Sequence, residues 1–559
     1  MQVNDGKTRS SVDSVSVANG GAPGGLKLKA ALAGVVSAAA ALGFGELVAS
    51  FAAPVPGPVI AVANRVIDNA PNWFVEFGKT IFGLADKPAL VLGTTIISLL
   101  LGAAFGLTSL RRPIIARLGF ALFGLLGMLS IGTDAQGGWV MAIVTSILAA
   151  GVGIGTLEFL RSKLLGHGVA QFGLQPPSAE GQASLAGTPT NPPVSRRGFL
   201  NFAGIVGVTA AVAATGAREV RARSSAAQAR DEVEFAAVPV DEISEVDELE
   251  QLIAAANEGP VGSTPGITPI VVPDGDFYLI DTALTTPQVD PANWSLTIRG
   301  MVDNELTISY DDLLQRSETI APVTLSCVSN DVGGNLVGNA VWRGVPLSEL
   351  LEEAGVQPGA TQIASRSVDG WSCGFPTEAA FDGRTAMVAI GMNDEPLPLR
   401  HGFPARLVVS GLYGYVSATK WLKEIELTTI EDFNGYWIPR GWSKLGPVKT
   451  QSRIDTPRTG ERFEPGTAVP IAGVAWAPNI GITKVEVQVD DGEWQEATLG
   501  ESLGPDAWVQ WLLPWEATAG RHVIQVRATD GTGTTQTSQR TAPAPNGASG
   551  WHQVGVEVA

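Results

Sequence analysis

The two cysteines have the most distinctive chemistry in this sequence, because a thiolate is both a nucleophile and a soft metal ligand. Cys327 stands in VTLSCVSNDVGGN, between a β-type run and a loop of glycines and asparagines, and Cys373 stands in DGWSCGFP. Two cysteines allow one disulfide bond, one metal ligand or two inert thiols. Taken alone, Cys327 indicates a buried thiol, or one half of a bridge to Cys373, more readily than a metal ligand.

Other metal-binding patterns are missing from the sequence. It has no C-x-x-C pair, and its four histidines do not cluster, since they are His167, His401, His522 and His552. This argues against a zinc site or a c-type haem built by the chain alone. The formal net charge of −18 argues against nucleic acid as a partner, because a phosphate backbone is bound by basic surfaces.

The elements around Cys327 predict a mixed α/β domain over residues 266–458. WSLTIRG and LTISY are short strands on either side of a turn at MVDNE. SYDDLLQR predicts a helix that Ser309 caps, and PLSELLEEAGV predicts a second helix that ends at Gly355.

The first third of the chain predicts a membrane domain, residues 1–163, with about four transmembrane helices. Apolar stretches lie near residues 30–53, 88–110, 113–132 and 138–160, and a fifth lies at 199–217. Each approaches the length that crosses a hydrocarbon core of about 30 Å. The mixed segment after the first stretch predicts an interfacial helix or an ordered loop. Because the stretches contain no histidine, a haem relay inside the bundle is rejected, and anchoring or docking of a separate electron carrier remains.

Basic residues orient these stretches. The positive-inside rule places the charges that flank them in the cytoplasm; they are Lys27, Lys29, Arg111, Arg112, Arg117, Arg161, Lys163, Arg196 and Arg197. Five crossings then leave the N-terminus inside and everything after residue 217 outside, in a multi-pass protein of the cell membrane. Arg218, Arg221 and Arg223 follow the fifth stretch and oppose this arrangement.

Two segments flank the fifth stretch. Residues 164–198 predict a flexible cytoplasmic linker, because they are rich in Gly, Pro, Ser and Gln, and the linker ends in SRRGF, which resembles a twin-arginine export signal; ordinary positive-inside anchoring is the alternative. Residues 218–265 predict an acidic, solvated tether. The alternative there is a short amphipathic helix with Ile243, Val246, Leu249, Leu252 and Ile253 on one face.

Residues 459–559 predict an all-β module. TKVEVQVDDGEW alternates valines with polar residues before a turn at Asp491–Gly492, and RHVIQVRATDG repeats the alternation. The pattern suits an immunoglobulin-like sandwich without its disulfide.

The chain carries, in order, the motifs FYLIDTAL, PQVDPANWSLTIRGMV, YDDLL, TLSCVSN, GNAVWRGVPLSELL, SVDGWSCGFP, MNDEPLPLRHGFPARLVV, GYVSATKWLKEIEL and QSRID. Their joint order and spacing, over most of residues 270–455, resemble the sulfite oxidase family of molybdopterin enzymes. The resemblance implies an α+β molybdopterin domain, a molybdenum–molybdopterin cofactor and a C-terminal dimerisation domain, hence a homodimer unless the membrane anchor replaces it. It also implies that Cys327 is the single protein ligand of molybdenum, with which a bridge to Cys373 would compete.

The resemblance implies a cradle for the anionic pterin phosphate. It assigns cofactor contacts to Phe277, Tyr278, Ser367, His401, Arg406, Ser417, Thr419 and Lys420. Arginine can present a forked donor pair to phosphate and lysine a point charge. A surface salt bridge is the alternative for Arg406 and Lys420. Tyr413, Tyr415 and Tyr436 are candidates to donate a hydrogen bond to the transferred oxygen, each equally plausible as packing.

The cysteine loop departs from the sulfite-specific members of the family. The cysteine loop of those members resembles CAGNRR, and its last arginine helps to bind the oxyanion. This chain reads CVSNDVGG, with Val332 at the position of that arginine and Asp331 beside it. An acidic group near the site repels a dianion. Other cations could substitute for the missing arginine; the candidates are Arg343, Arg366, Arg384, Arg400, Arg440 and Arg453.

Three functions therefore remain open. The leading hypothesis is a membrane-anchored, outward-facing oxidoreductase that transfers oxygen to or from a small oxyanion or a sulfoxide and exchanges electrons with a separate cytochrome or quinone-linked protein. The short cysteine loop is similar to the bacterial exported branch, which reduces sulfoxides in oxidised methionines. The alternatives are a true sulfite dehydrogenase and a catalytically degenerate member that serves in adhesion or assembly.

Overall fold

The computed structural model describes residues 24–52, 55–71, 85–165, 225–235 and 243–559, with a few positions between 72 and 84. The predicted fifth stretch at 199–217, the SRRGF motif and the linker 164–198 lie outside the described residues, apart from the last helical turn before residue 166.

The N-terminal region is helical. Its helices are α1 (Gly24–Ser50), α2 (Pro58–Asn69), α3 (Asp86–Ser109), α4 (Pro113–Gly132) and α5 (Trp139–Leu165). Four of these, α1, α3, α4 and α5, are long and apolar enough to cross a membrane, as the sequence predicts. Helix α2 is too short to cross, and its apolar face packs toward α4 while polar residues lie on its other side. This amphipathic helix is the predicted interfacial segment.

Small residues bring α1 and α3 together. A Cβ atom built on Gly34 of α1 would lie 2.0 Å from the carbonyl oxygen of Gly102 in α3, and one on Gly106 would lie 2.1 Å from the carbonyl oxygen of Ala30. Membrane helices have little hydrophobic drive to associate, so close backbone contact of this kind stabilises their packing.

We therefore expect Gly34→Ala to destabilise the bundle by about 2 kcal/mol or more, because the added methyl group meets backbone that cannot move aside. Thermal unfolding of the detergent-solubilised protein measures the effect. Gly155→Ala in α5 is the matched control, since nothing lies within 4 Å of its added Cβ, and alanine favours a helix over glycine by about 1 kcal/mol. Equal unfolding temperatures for the two variants would contradict the packing described here.

Two sheets form the central domain. The first has the order β2 (Leu306–Ser309), β1 (Ser295–Gly300), β10 (Leu422–Thr428), β5 (Gln362–Ser367) and β6 (Ser372–Pro376); β1 and β10 are parallel and the other pairs antiparallel. The second is antiparallel and has the order β3 (Thr319–Ser326), β4 (Val337–Pro346), β7 (Ala386–Met392) and β8 (Glu395–Pro396), with β9 (Arg406–Val409) paired to β7.

Short helices connect these strands where the sequence predicts them. Helix α8 (Tyr310–Arg316) begins with a reciprocal capping box between Ser309 and Asp312, which satisfies two backbone donors at its first turn. Helix α9 (Leu347–Ala354) ends at Gly355, whose φ of 70° suits glycine. Helix α10 (Gly414–Ser417) is a single turn beside the second sheet.

The C-terminal region is rich in β-structure. One sheet has the order β11 (Gln451–Thr456), β13 (Ala468–Trp476), β17 (Val509–Glu516) and β16 (Thr498–Leu499). The other has the order β12 (Arg462–Phe463), β19 (His552–Val558), β18 (Gly520–Asp530), β14 (Ile482–Val489) and β15 (Gln495–Glu496). Val474, Trp476 and Trp508 of this region belong to the core of the central domain, so the hydrophobic core continues across residue 458.

The segment predicted to be a solvated tether contains two helices in its described part. Helix α6 (Ser225–Asp231) and helix α7 (Ile243–Glu258) lie within it. Leu249, Leu252 and Ile253 pack against the central core, and Ala256 is buried in it. The described part of the segment corrects the tether prediction in favour of the amphipathic helix, because its apolar stripe finds a surface to cover.

Candidate active site

Cys327 lies at the end of β3, where the chain leaves the sheet. Its backbone N–H donates to the carbonyl oxygen of Leu336 at 2.9 Å, and its own carbonyl accepts from Asn330 N–H at 3.1 Å, so the loop folds back on itself. The thiol is 8 % exposed, and its Sγ lies 3.0 Å from Ser329 Oγ. The sulfur is thus fixed by the backbone near the surface of the core rather than deep inside it.

Three chain segments converge beside this cysteine. A Cβ atom built on Gly414 would lie 3.9 Å from the carbonyl oxygen of Ser326 and 4.0 Å from the hydroxyl of Tyr278. The ring of Phe277 stacks on that of Tyr278 with centroids 5.1 Å apart. The structure therefore brings together the cysteine loop, the Phe277–Tyr278 segment and the turn that follows Tyr413.

Arg406 is the central cation of the site. It begins β9 and is 4 % exposed. Its guanidinium lies over the Trp342 ring at 4.8 Å from the centroid, and Nη1 donates to the carbonyl oxygen of His401 at 3.0 Å. Burial lowers the pKa of Arg406 to about 10. Within the described part of the chain this buried guanidinium has no carboxylate partner.

A buried arginine without a counter-ion is costly, because the desolvation of its charge is not repaid by an opposite charge. A bound anion would supply that charge. The residues present therefore fit the anionic group of the cofactor that the sequence implies.

His401 lies next to Arg406 and is 1 % exposed. Its Nε2 lies 3.1 Å from the carbonyl oxygen of Asp274, whereas the buried Nδ1 has no hydrogen-bond partner among the described residues. Burial, followed by the charge of Arg406, lowers the pKa of His401 to about 3, so the ring is neutral near pH 7. Phe277 packs edge-on against the ring at 5.6 Å, which places the predicted N-terminal segment at the cradle.

Gly402 allows the close approach of these cations. Its φ of 117° is left-handed, and a Cβ there would lie 3.1 Å from Arg406 Cβ and 3.1 Å from Lys420 Cα. A glycine is needed because any side chain would be strained and would also separate the two basic residues.

The predicted hydroxyl groups line the same region. Ser417 and Thr419 are fully buried, and Ser367 is 1 % exposed. Thr419 Oγ1 lies 2.6 Å from Ser365 Oγ, and Ser367 Oγ accepts from Asp369 N–H at 3.3 Å. The cofactor residues predicted from the sequence thus lie on the second sheet, on the loops beside it, or on the adjoining end of the first sheet. The role of each residue in binding the cofactor stays a prediction.

Lys420 is held by a residue that the sequence did not single out. Its Nζ donates to Asp281 Oδ2 at 3.0 Å, and Asp281 Oδ1 accepts from Lys87 Nζ at 2.7 Å. Lys87 belongs to α3, so the first turn of a membrane helix reaches the cradle. Although burial raises the pKa of Asp281, the two lysines hold it below its ordinary value. No local pattern in the sequence predicts this ion pair, because 139 residues separate Asp281 from Lys420.

The charge of Lys420 gives the cradle a pH dependence. Burial lowers the pKa of its amine to about 8, against the attraction of Asp281. Because an anion binds to the protonated amine, we expect the affinity of the cofactor-free protein for sulfate to be greatest below pH 8 and to fall severalfold, up to about tenfold per pH unit, above it. Titration calorimetry of the cofactor-free protein between pH 6.5 and 9.5 measures this.

Lys420→Arg is the control for that measurement, because a guanidinium stays charged throughout the range. The variant should bind sulfate with little dependence on pH. An unchanged fall in affinity above pH 8 in Lys420→Arg would assign the titration to another group.

Cys373 is separate from this chemistry. It is 1 % exposed, forms no disulfide bond, and lies 3.3 Å from Ser365 Oγ and 3.2 Å from Thr419 Oγ1. Burial raises the pKa of its thiol to about 11. A bridge to Cys327, the alternative for these two cysteines, is not formed in the structure.

The three tyrosine candidates differ in their surroundings. The hydroxyl of Tyr415 donates to the carbonyl oxygen of Ser443 at 2.5 Å, and Tyr436 packs under the guanidinium of Arg440 at 3.6 Å. Tyr413 is buried, and burial raises the pKa of its hydroxyl to about 12, with the neighbouring Cys327 acting in the same direction. Of the three candidates, Tyr413 is therefore the one whose hydroxyl pKa is affected by Cys327.

Most of the arginines suggested as substitute cations are already engaged. Arg366 pairs with Glu424 and Glu426, Arg384 with Asp382, and Arg453 with Asp455. Arg343 donates to the carbonyl oxygen of Ser317, and Arg440 donates to that of Tyr436. Arg400 differs from these, since its guanidinium has neither a carboxylate nor a carbonyl partner in the described ranges, while its own carbonyl accepts from Lys420 at 3.2 Å.

Comparison with known proteins places this site in a wider group. Residues 283–437 match the family model of the oxidoreductase molybdopterin binding domain. The uncharacterized oxidoreductase YuiH of Bacillus subtilis is 32% identical over 170 residues, which are 30% of this chain and 82% of that protein. The human mitochondrial sulfite oxidase is 29% identical over 290 residues, which are 44% of this chain and 53% of the enzyme.

Among solved structures, the sulfane dehydrogenase SoxCD of Paracoccus pantotrophus is 25% identical, with a TM-score of 0.43, and the match covers 49% of this chain and 79% of that one. This chain spans about half the length of the curated sulfite oxidases that it matches. The match lies in the part that contains Cys327 and the basic cradle.

Proposed function

This chain belongs to the sulfite oxidase family of molybdopterin-dependent oxidoreductases, and from that premise we propose that it transfers an oxygen atom to or from a small sulfoxide or oxyanion outside the cytoplasm. That it is a molybdenum-dependent oxidoreductase is confirmed by its relatives. The observation that carries the proposal is the buried guanidinium of Arg406, which has no carboxylate partner among the described residues.

The residues of this chain divide the work of holding the cofactor. Cys327 offers a thiolate, the soft ligand that suits a high-valent metal held by dithiolene sulfurs. Arg406, His401 and Lys420 surround the place for the anionic end, and Ser417 and Thr419 add hydroxyl groups. When bound, the cofactor supplies the two-electron exchange and the oxygen that moves to or from the substrate.

The protein's own contribution is to orient the substrate and to stabilise charge. We assign the hydrogen bond to the transferred oxygen to Tyr413, because burial keeps its hydroxyl protonated at every physiological pH. The buried aromatic rings of Phe277 and Trp342 exclude water from the inner side of the site. Asp331, on the exposed side of the cysteine loop, repels dianions as they approach.

These surroundings favour a neutral sulfoxide over dianionic sulfite. The family's oxyanion arginine is replaced by Val332, and five of the six candidate substitutes are engaged by carboxylates, carbonyls or rings. Only Arg400 among those six has no such partner within the described residues. The similarity to enzymes named sulfite oxidase keeps sulfite as the second candidate.

Steady-state kinetics separate the two candidates. We expect kcat/KM for methionine sulfoxide reduction to exceed that for sulfite oxidation by at least about tenfold, because a missing charge contact to a dianion costs more than 1.4 kcal/mol. Replacing Asp331 with asparagine should raise kcat/KM for sulfite and leave that for the sulfoxide unchanged. A preference for sulfite in the unaltered protein would identify a sulfite dehydrogenase. Metal-free but folded protein would identify a degenerate member instead.

The orientation in the membrane is part of the proposal. The ends of the helices that touch the central domain are the start of α3 at Lys87 and the α4–α5 loop, where Ala135 faces Gly370. The basic residues Arg111 and Arg112 lie at the opposite ends of the same helices. The positive-inside rule therefore supports a catalytic domain on the extracytoplasmic side.

The C-terminal region completes the proposal. Its two packed sheets suit an immunoglobulin-like sandwich that acts as a homodimerisation domain, as the family resemblance implies. Light scattering of the detergent-solubilised protein tests this: a mass of two chains supports it, and a mass of one chain contradicts it.

A further inference from the structure

The helical bundle contains an internal cavity of about 610 Å³ that the catalytic proposal does not use. Residues from all five N-terminal helices line it, among them Ala38, Val62, Ser98, Phe120 and Ala149. A volume of this size lies within the range of small-molecule sites. The cavity lies between the five helices and is open on one side, where the exposed side chains of Val66 and Leu126 line it.

The polar groups of this cavity are donors. Arg65 and Asn69 of α2 stand on one side, and the other polar side chains of the described lining are serine and threonine hydroxyls. Ser146 is 5 % exposed, and its Oγ has no hydrogen-bond partner among the described residues. A buried hydroxyl without a partner is costly in an apolar setting. The cavity therefore suits an apolar ligand that carries acceptor oxygens.

Arg65 also joins this cavity to the catalytic domain. It lines a second cavity of about 350 Å³ at the junction of the two regions. On the far side of that junction lie Asp369, Trp371 and Tyr436, and Asp369 donates its N–H to Ser367, a predicted cofactor contact. The Arg65 side of the bundle cavity therefore adjoins the junction with the catalytic domain.

The chemistry of the proposed function requires a two-electron partner. The described residues hold no cluster of three His, Cys, Asp or Glu side chains that could bind a second metal, and the apolar stretches contain no histidine for haem. A membrane-soluble carrier of two electrons would meet the requirement inside the bundle itself.

We propose that the bundle cavity is a binding site for an isoprenoid quinone, whose ring carbonyls accept hydrogen bonds from Arg65 and Ser146 and whose tail follows the apolar walls. The inference rests on the proposed function for its purpose, but the site is defined by the bundle alone. A phospholipid is the less suitable occupant, because a volume of about 610 Å³ is small for two acyl chains and a head group.

The overall reactions balance with a quinone as the only other redox reactant. In the reductive direction, quinol and a sulfoxide give quinone, a thioether and water: the quinol loses two electrons and two protons, and the sulfoxide oxygen leaves as water. In the oxidative direction, quinone, sulfite and water give quinol and sulfate.

Quinone binding is testable without catalysis. The full-length protein carrying Cys327→Ser, purified in detergent, provides a background in which binding does not depend on the metal. Its bound lipids are extracted and identified by mass spectrometry, and the affinity for decylubiquinone is measured by equilibrium dialysis. We expect co-purified quinone, and saturable binding of the probe at about one molecule per chain.

Two variants and one control locate the site. Ala149→Phe fills the cavity and should lower the affinity for decylubiquinone at least tenfold, and Arg65→Gln should lower it severalfold. Val140→Phe introduces the same phenyl ring into α5 at a residue that is 75% exposed and should leave the affinity unchanged. Gel filtration and thermal unfolding identify any variant that fails to fold, in which case Arg65→Gln alone carries the test.

The outcomes distinguish this inference from the proposed function. Absence of quinone, phospholipid as the only extracted occupant, or equal affinities in Ala149→Phe and Val140→Phe would overturn the inference. Sulfoxide reduction by a viologen dye in the Ala149→Phe variant, which retains Cys327, should equal that of the unaltered protein, so activity with the dye but no quinone binding would leave the proposed function standing. Quinone binding without dye-driven activity would support the inference and contradict the proposed function.

Discussion

Replacing Cys327 with serine should remove molybdenum from the purified protein and lower oxygen-transfer activity by at least about a hundredfold. A hydroxyl is a harder and far less acidic ligand than a thiol, so it does not replace a thiolate on this metal. Changes to residues that only support a ligand already cost about 10–100-fold, and Cys327 is the proposed ligand itself. Elemental analysis and steady-state kinetics measure the two effects.

Cys373→Ser is the matched control, because it makes the same change at the other cysteine. Its Sγ contacts the hydroxyls of Ser365 and Thr419, and a serine there can keep polar contacts with both. We expect full molybdenum content and activity within about twofold of the unaltered protein. Retention of the metal by Cys327→Ser, or its loss only from Cys373→Ser, would refute the assignment of the ligand.

Replacing Arg406 with methionine should separate stability from cofactor binding. The guanidinium is buried and has no carboxylate partner in the part of the chain that the structure describes, and replacing buried charges with apolar groups is often neutral or stabilising by about 1–4 kcal/mol. The loss of the contact with Trp342 offsets part of this, by about 0.5–1 kcal/mol. We therefore expect the cofactor-free variant to be as stable as the cofactor-free parent, or more stable by about 1 kcal/mol, while its pterin content falls at least tenfold.

Thermal unfolding of both cofactor-free proteins and fluorescence of the extracted, oxidised pterin provide the measurements. Arg299→Met is the control, because Arg299 pairs with Glu424 and Glu426 at a partly exposed position. That change should lower stability by no more than about 1 kcal/mol and leave the pterin content intact. Should Arg406→Met unfold the protein while Arg299→Met does not, Arg406 would be a structural residue rather than an anion site.

The Lys87–Asp281–Lys420 chain of ion pairs connects these results to the membrane. Its two contacts, at 2.7 and 3.0 Å, extend from the first turn of a membrane helix to the cradle. The position of the bundle therefore affects the charge and orientation of Lys420 through Asp281. The bundle is therefore in direct contact with the basic cradle.

The local patterns of the sequence predicted local structure well. The capping residue Ser309, the helix end at Gly355 and the four apolar stretches each correspond to elements of the structure. The order of motifs around Cys327 identified the family and its cofactor, which the comparisons confirm. The tether prediction failed for its described part, because periodicity shows that a helix has an apolar face but not that a surface exists to cover it.

The sequence by itself therefore determined the family, the cofactor and the residue types of the site, since these depend on chemistry and order along the chain. Only the tertiary structure decided which charges are compensated. Arg366, Arg384 and Arg453 have carboxylate partners and Arg406 has none within the described ranges, although all four are arginines. The cavity of the helical bundle also depends on packing between helices distant in the chain. Pairing and enclosure are properties of position in space, which residue type and spacing do not encode.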